Sequence, residues 1–199
     1  MTLRPILLSI LTLSLPVTAQ TQLLRGDVDS ISGTNRYQVD CTNLEIVSST
    51  VDLRALHDAS RRQDIDYEMR VRPTTVGGRA VLEVVAATPI PEQMDMGNLR
   101  FGRNETWEVF GPAGSEVWIF VNVPSASSYL PLGAAGSWLL GTALPFRTGQ
   151  IDGFGRLRFG FTMPTIPALV GRTISSQAVL RSNGVFSITA PDCKEVRND

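Results

Sequence analysis

Histidine, lysine and cysteine are nearly missing from this chain: one histidine, one lysine and two cysteines among 199 residues. A structural zinc cage takes about four nitrogen or sulfur ligands, and His57, Cys41 and Cys193 cannot supply them within one chain. No metal and no cofactor are therefore expected. An excess of charge of one sign is missing too. With 18 basic against 19 acidic residues and a net charge of -1, the sequence lacks the basic footprint that binding to nucleic acid or an anionic membrane favours. Beyond residue 19 there is no apolar run near the ~20 residues that span a bilayer, so no integral membrane segment is expected in the mature chain. The G-x-S-x-G nucleophile elbow is absent. So is the EF-hand loop, because Ile31 stands where the third ligand would be. What remains, 43% hydrophobic and 19% charged, is enough for a real core and argues against disorder.

Residues 1–19 have the layout of an export signal. Arg4 supplies the positive start, Ile6 to Val17 the apolar stretch, and Val17-Thr18-Ala19 the small-residue cleavage site, so the mature chain is expected to begin at Gln20. The expected product is soluble and exported, periplasmic or extracellular. In an oxidising compartment two cysteines pair. A bridge from Cys41 to Cys193 closes a loop of roughly 150 residues, worth about 3 to 5 kcal/mol in the chain-entropy view. The alternative, Cys41 as a nucleophile with His57 as base, is disfavoured because nothing around Cys41 is basic enough to favour the thiolate.

The patterning predicts an all-β chain in two units: an N-terminal OB-like small barrel with one short helix over 20–90, a linker over 91–98, and a β-sandwich over 99–199. In the first unit, strands are predicted over Leu24 to Ser32, over Tyr37 to Val47 and around Tyr67 to Arg72, and Ala80 to Ala87 returns after the Gly77-Gly78 turn. A helix capped by Ser49 or Thr50 runs to Arg62, with Leu53, Leu56 and Ala59 on one face. A helix between the third and fourth strands is what suggests the OB-like barrel. The stretch TPIPEQMDMGN over 88–98 has linker composition. Twelve of the 14 aromatic residues follow it, so the two halves are built differently. Strands are predicted at Phe101 to Phe110, Glu116 to Val123, Ser137 to Leu140, Arg156 to Met163, Ile174 to Arg181 and Val185 to Ala190, a spacing that fits a sandwich. Val117 to Val123 reads as a central buried strand, with Trp118 in the core.

Several motifs in this second half form a set: Gly111-Pro112-Ala113-Gly114-Ser115, Leu130-Pro131-Leu132-Gly133, Asp152-Gly153-Phe154-Gly155-Arg156, the run Met163 to Gly171, and Ser176-Gln177-Ala178. On these, residues of about 98–190 resemble a β-sandwich domain of secreted, mostly uncharacterised bacterial proteins. The resemblance implies an exported accessory or surface domain and brings no catalytic residue with it. The N-terminal half resembles no family.

Candidate chemistry is thin. His57 beside Asp58, with Ser49 or Ser60, is too little for a triad. The acids of the aromatic half are Glu105, Glu108, Glu116 and Asp152. Glu105 and Glu108 fall on opposite faces of one strand and Asp152 suits a turn, so a glycosidase pair is disfavoured. Asp27 with Asp29, and Asp64 with Asp66, read as solvated strand faces rather than calcium ligands. Arg25-Gly26-Asp27 lies in a strand and lacks the exposed loop that integrin-type recognition requires. Asn104-Glu105-Thr106 is a glycosylation sequon. The site expectation rests on Trp138, Tyr129 and Phe154, aromatic residues near glycine- and proline-rich turns where sugar rings could stack. The sequence thus predicts a secreted, non-catalytic binding or structural protein, with carbohydrate or an envelope protein as partner. The alternatives are a hydrolase acting on envelope polymers and a self-assembling surface component, the latter through an edge strand such as Val185 to Ile188.

Overall fold

A computed structural model describes residues 20–123 and 128–198. The predicted export signal lies outside the described residues. The chain is all-β, and among the described residues it has a single α-helix.

The first sheet grows from apolar residues at every second position. Leu24, Gly26 and Val28 are buried along one extended segment that bends at Asp27 into β1 (Gln22–Gly26) and β2 (Val28–Ser30). β3 (Tyr37–Val39) and β4 (Glu45–Val47) follow, burying Val39 and Ile46. Helix α1 (Leu53–Gln63) starts where the Asp52 carboxylate accepts the Ala55 N–H at 3.1 Å, and it ends at Asp64, whose φ of 46° is left-handed. Its buried residues are Leu53, His57 and Ser60, spaced to share one helix face. β5 (Ile65–Val76) and β6 (Arg79–Pro91) then form a long hairpin over Gly77 and Gly78, both at positive φ.

The strand order is β1-β5-β6-β4-β3-β2, with β4 and β6 parallel. Its two edges, β1 and β2, are consecutive in the chain, so the sheet curls back on itself through the bend at Asp27. Counting β1 and β2 as one bent strand gives the OB-like order, with the helix between the third and fourth strands. The curled sheet and α1 enclose Leu24, Val39, Ile46, Met69, Val71 and Val84.

The second half is layered. The first of its strands are β7 (Met94–Asp95), β8 (Leu99–Arg100), β9 (Asn104–Phe110) and β10 (Glu116–Asn122). A small ribbon of β11 (Leu130–Pro131) and β12 (Ser137–Trp138) comes next. β13 (Leu144–Gln150), β14 (Arg156–Thr162), β15 (Thr173–Ser182), β16 (Val185–Ile188) and β17 (Asp192–Arg197) complete it. One sheet runs β13-β10-β15-β17-β8 with β16 beside β15, and the other runs β14-β9-β7. Between them lies a second core around Trp107, Val109, Val117, Ile119, Phe159 and Leu180.

The stretch read as a linker is structured. β6 pairs with β5 as far as Pro91, opposite Ile65. Met94 and Met96 are both buried in the second core, and Gly97, at φ 56°, lies where a Cβ would come within 2.5 Å of the Thr106 carbonyl oxygen. Trp118 also differs from expectation. It is half-buried on the outer face of β10, against Phe186 and under the Arg181 guanidinium, while the fully buried tryptophan is Trp107. β10 is central in its sheet, but its inward positions are Val117 and Ile119.

The two halves are joined by buried contacts. Leu139 packs into the N-terminal core. Arg25 donates to the Ile188 carbonyl at 2.9 Å and to the Ala135 carbonyl at 3.3 Å, and Ser137 Oγ donates to the Leu23 carbonyl at 2.6 Å. Cys41 and Cys193 form the expected disulfide, with Cα atoms 5.5 Å apart. No helix among the described residues is long and apolar enough to cross a membrane.

Candidate functional site

The three aromatic residues expected to form a platform stand in three settings. Trp138 is half-buried, meets Phe120 edge-on at 5.1 Å, and donates its indole N–H to the Gly141 carbonyl at 2.9 Å. Tyr129 packs against the N-terminal core and donates its hydroxyl to Gln22. Phe154 is 90% exposed at the tip of the turn before β14, where the Asp152 carboxylate accepts its backbone N–H at 2.8 Å. β10 separates Trp138 and Phe154: Phe120 sits opposite Pro145 towards one end, while Glu116 and Gln150 pair at the end near the Phe154 turn. Phe154 therefore stands apart from Trp138, whereas Tyr129 directly precedes Leu130, the residue paired with Trp138.

The residues considered for catalysis are engaged in structure. His57 is buried, with Nδ1 3.0 Å from the Val28 carbonyl and 3.8 Å from Asp29, which ties α1 to β2. The Ser60 hydroxyl donates back to the Leu56 carbonyl. Glu108 pairs with Arg156 and Arg158, and Glu116 with Arg181. In Arg25-Gly26-Asp27, Gly26 is buried and Arg25 binds Glu68 at 2.8 Å, so the tripeptide is enclosed. One group of potential metal ligands gathers among the described residues, Asp40 with Cys41 and Cys193, and its two sulfurs are bonded to each other.

Where the sequence pairs Asp27 with Asp29 and Asp64 with Asp66, the fold pairs Asp27 with Asp66. Burial, followed by the charges of Asp66 and Asp40, raises the Asp27 carboxyl far above its ordinary range. Burial also raises Asp66, against the pull of the Gln93 N–H that it accepts at 2.8 Å. The two carboxyls are coupled, and their mutual interaction favours the protonated form of Asp27 and the ionised form of Asp66. Nearby, burial and then Asp95 and Asp192 push Glu92 up to about 7. Burial raises Asp192, which accepts the Met96 N–H at 2.6 Å, while Lys194 opposes the shift. Asp66 and Asp192 thus hold backbone N–H groups of the stretch that joins the halves, and Asp192 also adjoins the disulfide.

An apolar cavity of about 160 Å³ opens at one end of the sandwich. Leu99, Trp107, Val121, Phe146, Phe161 and Ile174 form its walls, and the exposed Pro164 and half-buried Leu169 stand at its rim. No titratable group lines it. Its volume is close to the roughly 150 Å³ apolar cavities that stay dry and accept a benzene-sized guest. The Trp107 indole N–H, fully buried beside it, has no acceptor among the described residues.

No protein-family model, curated protein or solved structure matches the chain. The cavity was not legible beforehand: its walls come from six separated strands or turns, and only the alternation of Leu157, Phe159 and Phe161 hinted that β14 had an apolar face.

Proposed function

We propose that the chain is an exported, non-catalytic binding protein of the cell envelope or extracellular space, and that it takes its ligand at the open end of the sandwich. The observation that carries this reading is a contrast. Histidine and the acids that could do chemistry are spent on structural bonds, whereas the cavity is apolar, free of titratable groups and open at one end. Such a pocket suits binding rather than proton transfer. The disulfide fits an oxidising compartment, and the resemblance of the second half to domains of secreted bacterial proteins supports export. Carbohydrate stays among the ligand classes to be screened, with Phe154 set apart from Trp138 and Tyr129.

One observation favours self-assembly as a second reading. Among the described strands β16 pairs with β15 alone, and it exposes Val185 and Phe186, which makes it an open edge.

A thermal-shift screen of the oxidised mature protein against amphiphiles, glycans and peptides tests the proposal. A saturable ligand with no turnover is expected. Hydrolysis of an envelope polymer that is lost in His57→Ala would overturn it, and a dimer by light scattering that Phe186→Asp dissolves would favour the second reading.

A further inference from the structure

The end of the sandwich that opens the cavity is also where arginines collect. Arg100 and Arg197 are in register on β8 and β17. The Arg103 carbonyl accepts the N–H of Met163, a cavity residue. Arg172 donates its backbone N–H to Leu169 at the rim and accepts that of Val196. These four arginines lie within a few residues of the mouth, and Arg103, Arg172 and Arg197 are exposed; Arg100 and Arg197 follow the core residues Leu99 and Val196 and so face outward from the sandwich, which leaves Arg103 and Arg172 for the mouth. None of the four makes an ion pair among the described residues; Arg54, Arg61, Arg62, Arg70 and Arg147 make none either, whereas Arg25, Arg36, Arg72, Arg79, Arg156, Arg158 and Arg181 are paired. The described carboxylates at this end are Glu105, opposite Phe161, and Glu195, opposite Thr173. Positive charge prevails there, in a protein whose net charge is -1.

The same end exposes apolar side chains. Leu144 is 69% exposed at the start of β13, and Ile166, Val170 and Val123 are exposed close to the rim. Exposed aliphatic residues around an apolar hole, with unpaired arginines beside them, match a molecule that is apolar at one end and anionic at the other. A neutral hydrocarbon would leave the arginines unused, and a small anion would leave the cavity and the aliphatic rim unused.

We propose that the open end of the sandwich binds a single-chain anionic amphiphile, a fatty-acid-like carboxylate. Roughly the last six carbons of the chain, about the size of benzene, fill the cavity lined by Trp107, Phe146, Phe161 and Ile174. The rest of the chain crosses the aliphatic rim, and the carboxylate lies by Arg103 and Arg172, with Arg100 and Arg197 adding positive charge on the outer face nearby. Guanidinium groups suit this role because they are weakly hydrated and bind carboxylates in two-point fashion. The assignment rests on the binding reading above and names its ligand class.

Sodium decanoate, below its micelle concentration, is the probe, titrated into the oxidised mature protein by calorimetry. Saturable one-to-one binding is expected, with decanol weaker and acetate giving no heat of binding. Ile174→Phe, which fills the cavity, is expected to weaken decanoate about tenfold or more, as losing the burial of two or more methylenes implies. The double change Arg103→Ala with Arg172→Ala leaves the cavity alone and is expected to weaken decanoate, flatten its salt dependence and leave decanol unchanged. If Ile174→Phe fails to fold, Leu169→Trp at the rim replaces it. Equal affinity for decanoate and decanol, undiminished binding by both cavity variants, or binding to phosphatidylglycerol vesicles with none to monomeric decanoate would overturn the assignment. Failure with decanoate while the wider screen yields another saturable ligand would remove the acyl assignment and leave the binding reading standing; no ligand in either would remove both.

Discussion

Cys41 and Cys193 are bonded across 152 residues of sequence, fastening the loop after β3 of the barrel to the last strand of the sandwich. The acids beside this bridge, Asp40 and Asp192, each accept the N–H of the neighbouring cysteine, at 2.7 and 2.6 Å. The bridge therefore sits inside a hydrogen-bonded junction rather than on a free tail.

Opening the bridge should loosen the halves without unfolding either core. Cys193→Ser is expected to cost about 3 to 5 kcal/mol and to appear as a drop in Tm under non-reducing conditions. Reductant should then have little further effect on the variant. Cys193 is the better position to change because Cys41 has a backbone φ of 62°. An unchanged Tm in Cys193→Ser would show that the junction holds without the bridge.

Stability should fall as pH rises. Asp27, Asp66 and Glu92 all have folded pKa values raised above their unfolded ones, with burial the first cause in each. The folded state thus keeps protons that the unfolded chain has released. Their contribution is complete below about pH 4, the unfolded range, and is lost as pH rises through the folded values, about 7 for Glu92. The Tm is expected to be higher at pH 5 than at pH 8. Asp27→Asn keeps a donor towards Asp66 and cannot ionise, so it should raise Tm at pH 8 by a few degrees and change it little at pH 5. Equal shifts at both pH values would count against a shared proton.

Arg25 is one of the side chains that cross the junction. Its guanidinium binds Glu68 on β5 and two carbonyls of the second half, Ala135 and Ile188. Arg25→Lys keeps the charge but loses the fork, and is expected to cost about 2 kcal/mol in urea unfolding. If Lys is as stable as Arg here, the two carbonyls are not being held by the fork.

His57 should matter for stability alone. His57→Ala removes the bond between α1 and the Val28 carbonyl together with buried side-chain volume, and about 1 to 3 kcal/mol of destabilisation is expected. Ligand affinity at the open end should be unchanged.

The strand plan was mostly legible because it is written in local alternation and in turn residues. Gly77-Gly78 and Asp152 to Gly155 sit at turns as read, and the barrel order followed from where the helix fell between strands. Helix α1 starts later than expected, because Ser48 Oγ accepts the N–H groups of Thr50 and Val51 and holds them in a turn, leaving Asp52 as cap. β13 went unread because Pro145, Arg147 and Gly149 dilute its pattern; it is held by pairing with β10 around a bulge at Ile119 and Phe120. The linker reading gave weight to Pro89 and Pro91 and missed Met94 and Met96, two apolar residues at strand spacing. Long-range features were out of reach: the meeting of Asp27 with Asp66, 39 residues apart, and a cavity walled by distant strands both depend on the closed fold.

The three tryptophans occupy three separate places, and their indole N–H signals provide the most direct test of where ligand binds. Trp107 borders the cavity, Trp118 lies on the outer face of β10, and Trp138 lies by the ribbon of β11 and β12. In an NMR titration of labelled protein with decanoate, the Trp107 indole signal is predicted to move and saturate while those of Trp118 and Trp138 stay in place. Movement of the Trp138 signal with Trp107 unmoved would contradict the account.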